Sequence, residues 1–117
     1  YIGGVIMPGI RVSLDSLVLR TSQLPRISLE APQKVIGKNT IQCMQSGIIY
    51  GNAACIDGMI ERIKEETGFS DGTPVQAKVI ATGGLAEVIV PECKTDIIYD
   101  NALLLKGLKV IYDKNVE

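Results

Sequence analysis

Residues 40–67 contain no proline, and they carry Ile41, Met44, Ile48, Ile49, Cys55, Ile56, Met59, Ile60 and Ile63 at helical spacing. That pattern predicts one long helix with a broad apolar stripe, opened by Asn39 or Thr40 and stopped at Gly68. Its other side is small: Gly47, Gly51 and Gly58, with Ala54 among them. A glycine inside a helix costs about 1 kcal/mol relative to alanine, so three cost roughly 3 kcal/mol. Close packing of another element against this side would offset the cost. Asp57, Glu61 and Arg62 interrupt the apolar run, which excludes a membrane pair. Internal packing and a subunit interface both remain open. The expectation is a helix at close range on Gly47, Gly51 and Ala54, in a two-fold dimer.

Shorter elements flank this helix. Residues 1–7 are β-branched and aromatic around Gly3-Gly4 and read as a strand ended by Pro8-Gly9. The chain opens inside that pattern with no lead-in, so a piece of a longer protein is expected. Residues 13–23 read as a helix with Ser13 as its cap and Leu14, Leu17, Val18 and Thr21 on one side. Pro25, Pro32 and Gly37 mark a loop with extended pieces at 27–29 and 34–36. After the long helix come a loop at Asp71-Gly72-Thr73-Pro74 and a buried strand at 77–81. A short helix at 85–90, a strand at 95–99 and a last helix at 102–112 follow. Asp100-Asn101 is the expected cap of that last helix. The order is that of an α/β fold.

Composition narrows the chemistry. Hydrophobic residues make up 46% of the chain and aromatics only 4%, so the core is aliphatic. Twelve basic and thirteen acidic residues give a net charge of −1. No basic block stands out, and no nucleic-acid partner is expected. There is no histidine, the commonest general base and metal ligand. Cys43, Cys55 and Cys93 show no metal-site spacing. Cys43 and Cys55 fall on the long helix about 18 Å apart, too far to bridge. A reduced, cytoplasmic setting fits this usage. No signal peptide and no membrane span are read in the sequence.

Four short motifs carry possible chemistry. Gly3-Gly4-Val5-Ile6-Met7-Pro8-Gly9 is either a bulged strand before a turn or a site of close backbone approach. Gly37-Lys38-Asn39-Thr40 lacks the spacing of a phosphate loop, since Pro32 and Asn39 stand where Gly and Ser or Thr are needed. It reads as a helix cap, and the same geometry suits a carboxylate or a polyhydroxy ligand. Val79-Ile80-Ala81-Thr82-Gly83-Gly84-Leu85 takes a strand into a helix through bare backbone. That is either an ordinary turn or the nucleotide-facing device of α/β folds. The cluster at 61–66 is a solvated helix face.

In combination these motifs are far more specific. Tyr1-Ile2-Gly3-Gly4-Val5-Ile6-Met7-Pro8-Gly9-Ile10 resembles the Gly-Gly-x-Ile-x-Pro-Gly segment of type III pantothenate kinases, the family that includes the Bvg accessory factors. Leu24-Pro25, Val35-Ile36-Gly37-Lys38-Asn39-Thr40 and Met44-Gln45-Ser46-Gly47 are similar to its central block. Ala81-Thr82-Gly83-Gly84-Leu85-Ala86 and Leu105-Lys106-Gly107-Leu108 complete the order. The resemblance covers nearly the whole chain and places it in the C-terminal half of the family.

It implies a ribonuclease-H-like lobe of the actin, sugar-kinase and heat-shock-chaperone ATPase superfamily, incomplete at its N-terminus. Residues 1–117 would be the partial C-terminal lobe of a two-lobe kinase. The implied reaction moves the ATP γ-phosphate to pantothenate, the first step toward coenzyme A. The implied setting is a cytoplasmic homodimer using Mg²⁺ and a monovalent cation, K⁺ or NH₄⁺. By the same resemblance Thr40 contacts pantothenate, Gly9 and Ile10 line its pocket, and Thr82, Gly83 and Gly84 form the adenosine-side loop. The family's Asp-x-Gly and Gly-x-Asp-Arg segments, which carry the catalytic Asp and most ion contacts, have no counterpart here. This piece alone is therefore expected to be inactive. A non-enzymatic regulator like the Bvg accessory factors, or a dimerisation module, is the alternative.

The implied topology carries one more expectation. Residues 1–7 and 77–81 would be separated by two strands absent from this sequence, leaving them about 14 Å apart. A companion segment, from the N-terminal half or a separate chain, should fill the gap. Without it the chain should be poorly folded.

Overall fold

The computed structural model describes residues 1–20, 24–70, 73–74 and 76–116, without the side chains of 69, 70, 73 and 74. Helix α1 (Ile10–Arg20) is followed by an irregular segment and by helix α2 (Thr40–Thr67). Strands β1 (Phe69–Ser70) and β2 (Thr73–Pro74) pair antiparallel, Phe69 opposite Pro74. Strand β3 (Ile80–Ala81) leads to α3 (Ala86–Ile89) and a 3₁₀ turn (Val90–Glu92). Strand β4 (Ile98–Tyr99) and helix α4 (Leu103–Asn115) close the chain. β3 and β4 are parallel, Ile80 opposite Ile98 and Ala81 opposite Tyr99. The fold is α/β, with a two-stranded parallel sheet where the sequence predicts longer strands.

α2 has the predicted bounds, and its cap shows why. The Asn39 side chain accepts from the Gln42 N–H at 2.9 Å, and Gln42 Oε1 accepts from the Lys38 N–H at 2.9 Å. The two side chains thus satisfy donors at the helix start reciprocally. Gly37 lies against the first turn: a Cβ there would stand 2.5 Å from Cys43 N, so only glycine fits. The segment before α2 is strapped to it by side chains. Ser46 donates to the Val35 carbonyl, Tyr50 to the Pro32 carbonyl, and Gln45 Nε2 to the Ser28 carbonyl at 3.1 Å.

Ile10 and Leu14 of α1, Met44, Ile48 and Ile49 of α2, and Ile89 of α3 form the core. Of the rest of the expected α2 stripe, Ile56, Met59 and Ile60 are half-buried, while Ile41 is 50% and Ile63 43% exposed.

Several expectations fail. Residues 1–9 form no strand and are exposed throughout. Among the described residues no backbone pairs with them, and a strand without a ladder leaves its N–H and C=O groups to water. The loop expected around Pro25, Pro32 and Gly37 is irregular as read, and α2 side chains take the Ser28 and Val35 carbonyls. α1 starts at Ile10, three residues early. Ser13 is not its cap: both its N–H and its hydroxyl donate to the Gly9 carbonyl at 2.9 Å. Thr21 and Gln23 lie outside the described residues, as do Asp71 and Gly72, while Thr73–Pro74 is a strand rather than loop. Asp100 does not cap α4 at the N-cap position, which is Ala102. Its Oδ1 accepts from the Ala102 N–H at 3.0 Å instead.

The surface is large for the chain length. A compact 12.6 kDa monomer exposes about 6,200 Å², and this chain exposes 9231 Å². The radius of gyration is 17.8 Å, against about 13 Å for a compact chain of this size. Helix α4 has no buried residue at all.

Candidate functional site

An apolar cavity of about 490 Å³ lies between the turn before α1, the middle of α2 and the end of β3. Met7, Pro8, Gly9 and Ile10 line one side, Asn52 and Ile56 a second, and Ile80, Ala81 and Thr82 a third. Leu85, Ile89 and Cys93 close the floor. The size falls in the range of small-molecule sites.

Three of the residues singled out in the sequence therefore meet: Gly9, Ile10 and Thr82. Gly9 is exposed, whereas the Ile10 side chain is buried in the core. Gly83 and Gly84 follow Thr82 as an exposed loop that does not line the cavity. Gly83 has φ +101, a conformation that side-chain-bearing residues rarely adopt. Its carbonyl accepts from the Ala86 N–H at 3.3 Å and from the Tyr99 hydroxyl at 3.4 Å. Two residues earlier, the Ala81 carbonyl accepts from the Asp100 N–H at 2.9 Å.

Thr40 stands elsewhere. It is the first residue of α2 and exposed, about 18 Å along the helix axis from Asn52. Asn39 supplies the cap, so the Thr40 hydroxyl is not needed for that role. Beside this helix start, Lys34, Lys38, Gln42 and Gln45 line a polar hollow of about 370 Å³.

Sequence reasoning gave no chemical role to Asp57 or Tyr99 and read Asp100 only as a helix cap. Asp57 Oδ2 accepts from the Lys94 N–H at 2.8 Å and Oδ1 from the Thr95 N–H at 2.9 Å, tying α2 to the chain before β4. Partial burial is the largest single influence on this carboxyl and opposes its ionisation. The hydrogen bonds from Lys94 and Thr95 and the Lys94 charge together outweigh burial, so its pKa lies below the ordinary value. Asp100 is held low chiefly by its bond to Lys106, 2.8 Å away, and then by the Ala102 N–H. Burial, and then the charges of Asp57 and Glu92, push the Cys93 thiol up. An aspartate within an apolar helical stretch was the one signal that could have flagged Asp57. Among the described residues no three acidic or cysteine side chains converge as metal ligands, and no helix is long and apolar enough to cross a membrane. The cysteines are free.

A parallel strand that ends in bare glycine backbone and opens a helix is the layout of nucleotide-binding α/β proteins. The chain belongs to the type III pantothenate kinase family, whose sequence model matches residues 1–62. Proteins named type III pantothenate kinase from Desulforapulum autotrophicum, Halalkalibacterium halodurans and Acidothermus cellulolyticus are 51%, 49% and 45% identical to it. Each alignment covers 99% of this chain but only 42%, 43% and 43% of the respective relative. The chain thus spans less than half the length of these relatives. None of their names supports the regulatory reading.

Proposed function

We propose that this chain is part of a cytoplasmic pantothenate kinase that transfers the ATP γ-phosphate to pantothenate. The observation that carries the reading is the Thr82-Gly83-Gly84 loop, exposed at the carboxyl end of β3, in a chain of this family. Bare backbone lets a flat purine approach closely, and Thr82 offers a hydroxyl at the cavity rim. Phosphoryl transfer depends mainly on positioning and charge stabilisation, so a lobe can supply an adenosine platform and a substrate wall without supplying a base. Mg²⁺ and the monovalent cation are assigned to the remainder of the protein, with the catalytic carboxylate.

On this reading residues 1–117 are the partial C-terminal lobe of a ribonuclease-H-like kinase. The remainder adds strands beside β3, and the unpaired residues 1–7 join them. The open glycine side of α2 supports a homodimer: a Cβ on Gly47, Gly51 or Gly58 would meet nothing within 4 Å in this chain. Gly47 borders a hollow shared with Val12, Ser13, Ser16 and Leu17 of α1, so the homodimer reading rests chiefly on Gly51 and Gly58.

Coupled measurement of ADP release by the full-length protein, with and without pantothenate, tests the reading. Release that does not depend on pantothenate would sink it. The family resemblance assigns both Thr40 and the Gly9–Ile10 turn to pantothenate, and within this chain the two stand apart. Thr40→Val should raise the pantothenate KM several-fold, leave that for ATP unchanged and leave Tm unchanged, since Asn39 is the cap. Equal Michaelis constants in the variant and the parent protein would remove Thr40 from the site.

A further inference from the structure

The Thr82-Gly83-Gly84 loop has two consecutive residues without side chains. One of its described anchors is local, the Ala86 N–H on the Gly83 carbonyl at 3.3 Å; the other two come from one place, the end of β4. The Asp100 N–H holds the Ala81 carbonyl just before Thr82, and the Tyr99 hydroxyl holds the Gly83 carbonyl just after it. Thr82 thereby lies between two carbonyls bonded from β4, the Ala81 one at 2.9 Å and the Gly83 one by a longer contact at 3.4 Å. Parallel pairing makes this possible: Tyr99 sits opposite Ala81, and its ring extends past the end of β3 to the loop. Among the described residues, Tyr99 is the side chain that hydrogen-bonds this loop. It also bonds a glycine at φ +101, whose conformation the chain would otherwise exchange for several others. Asp100 steadies the clamp from behind, since its carboxylate accepts from the Ala102 N–H and pairs with Lys106.

We propose that Tyr99 is a positioning residue that holds the Gly83 carbonyl, and with it the loop, in the shape that receives the adenosine side of ATP. The inference rests on the kinase reading above. It implies that Tyr99 acts on nucleotide and not on pantothenate, and that it acts through the loop without touching the reacting atoms.

Tyr99→Phe in the full-length protein removes the hydroxyl and keeps the ring. Two measurements follow it. Amide exchange at Ala86, whose N–H donates to the same Gly83 carbonyl, should quicken, with Val88 (bonded to Leu85 instead) as the unchanged reference. The KM for ATP should rise on the order of threefold to tenfold, the range one hydrogen bond spans, with kcat and the pantothenate KM unchanged. Unchanged exchange at Ala86 overturns the clamp. Faster exchange with an unchanged ATP KM, or with both Michaelis constants raised together, overturns the positioning role. Absence of pantothenate-dependent ADP release from the parent protein overturns the kinase reading and this role together, whereas an active parent with a silent Tyr99→Phe overturns the role alone.

Discussion

Helices α2 and α4 have similar sequence logic and opposite fates. Both set aliphatic residues at helical spacing, among charged residues in α4 and among small and polar residues in α2, whose charges are confined to 57–66. α2 buries Met44, Ile48, Ile49 and Ala53 and is strapped to its neighbours by Gln45, Ser46, Tyr50 and Asp57. α4 presents Leu104, Leu105, Leu108, Val110, Ile111 and Tyr112 at 52–73% exposure. Amphipathic pattern alone does not place a helix; a facing surface does. In α2 that surface is α1 and α3. For α4 the described residues supply none.

The sharpest way to break this contrast is a pair of truncations. Ile49, fully buried, should lose about 2–5 kcal/mol on Ile49→Ala. Leu108→Ala should cost under about 0.5 kcal/mol in this chain, as exposed sites do. In the full-length protein Leu108→Ala should cost about 2 kcal/mol or more once the α4 face is covered. Denaturant midpoints of both proteins check this, and a silent Leu108→Ala in the full-length protein would show that α4 stays bare there too.

A smaller effect separates the two sides of α2. Gly51→Leu meets open space here and removes a helix-interior glycine, so this chain should gain about 1 kcal/mol of helical stability. In a full-length dimer closed over that side, the same change should shift the protein toward monomer in sedimentation. A full-length dimer of unchanged mass and melting temperature would mean that the glycine side is not the interface.

The smallest effect concerns the strap between α2 and the segment before β4. Asp57→Asn should cost about 1 kcal/mol at neutral pH, after allowance for solvent screening. Asp57 has a folded pKa below its unfolded value. Its contribution is therefore present in full above the unfolded pKa and is lost as pH falls through the folded one. The parent should lose this stability only below about pH 4, and Asp57→Asn should flatten that acid limb. Parallel acid limbs would leave Asp57 without a stabilising role.

What the sequence made legible follows from how local the determinants are. α2 was readable to the residue because Asn39, Gln42 and Gly68 act within a turn of its ends. The Thr82-Gly83-Gly84 turn was readable for the same reason. Strands were legible in part: β3 and β4 fall inside the ranges 77–81 and 95–99 but are shorter, and residues 1–7 look like a strand by composition, yet a ladder needs a second backbone, and none of the described residues pairs with them. The straps from Ser46 and Tyr50 were hidden as well, since a polar residue on a helix gives no sign whether it faces water or a carbonyl. Gly9 and Thr40 stood in motifs of local interest, Ile10 was marked by family resemblance alone, and only Gly9 and Ile10 share a cavity with Thr82.

The open surface has a colloidal consequence. Roughly a third of the 9231 Å² is in excess of what a compact chain of this mass shows, and much of it is Leu, Ile and Val. The net charge is −1, so mutual repulsion between copies is close to nil. Expressed by itself, such a chain has greasy flanks and almost no electrostatic barrier to keep copies apart. Its solubility then rests on how quickly those flanks are shielded after synthesis, a matter of timing more than of folding strength.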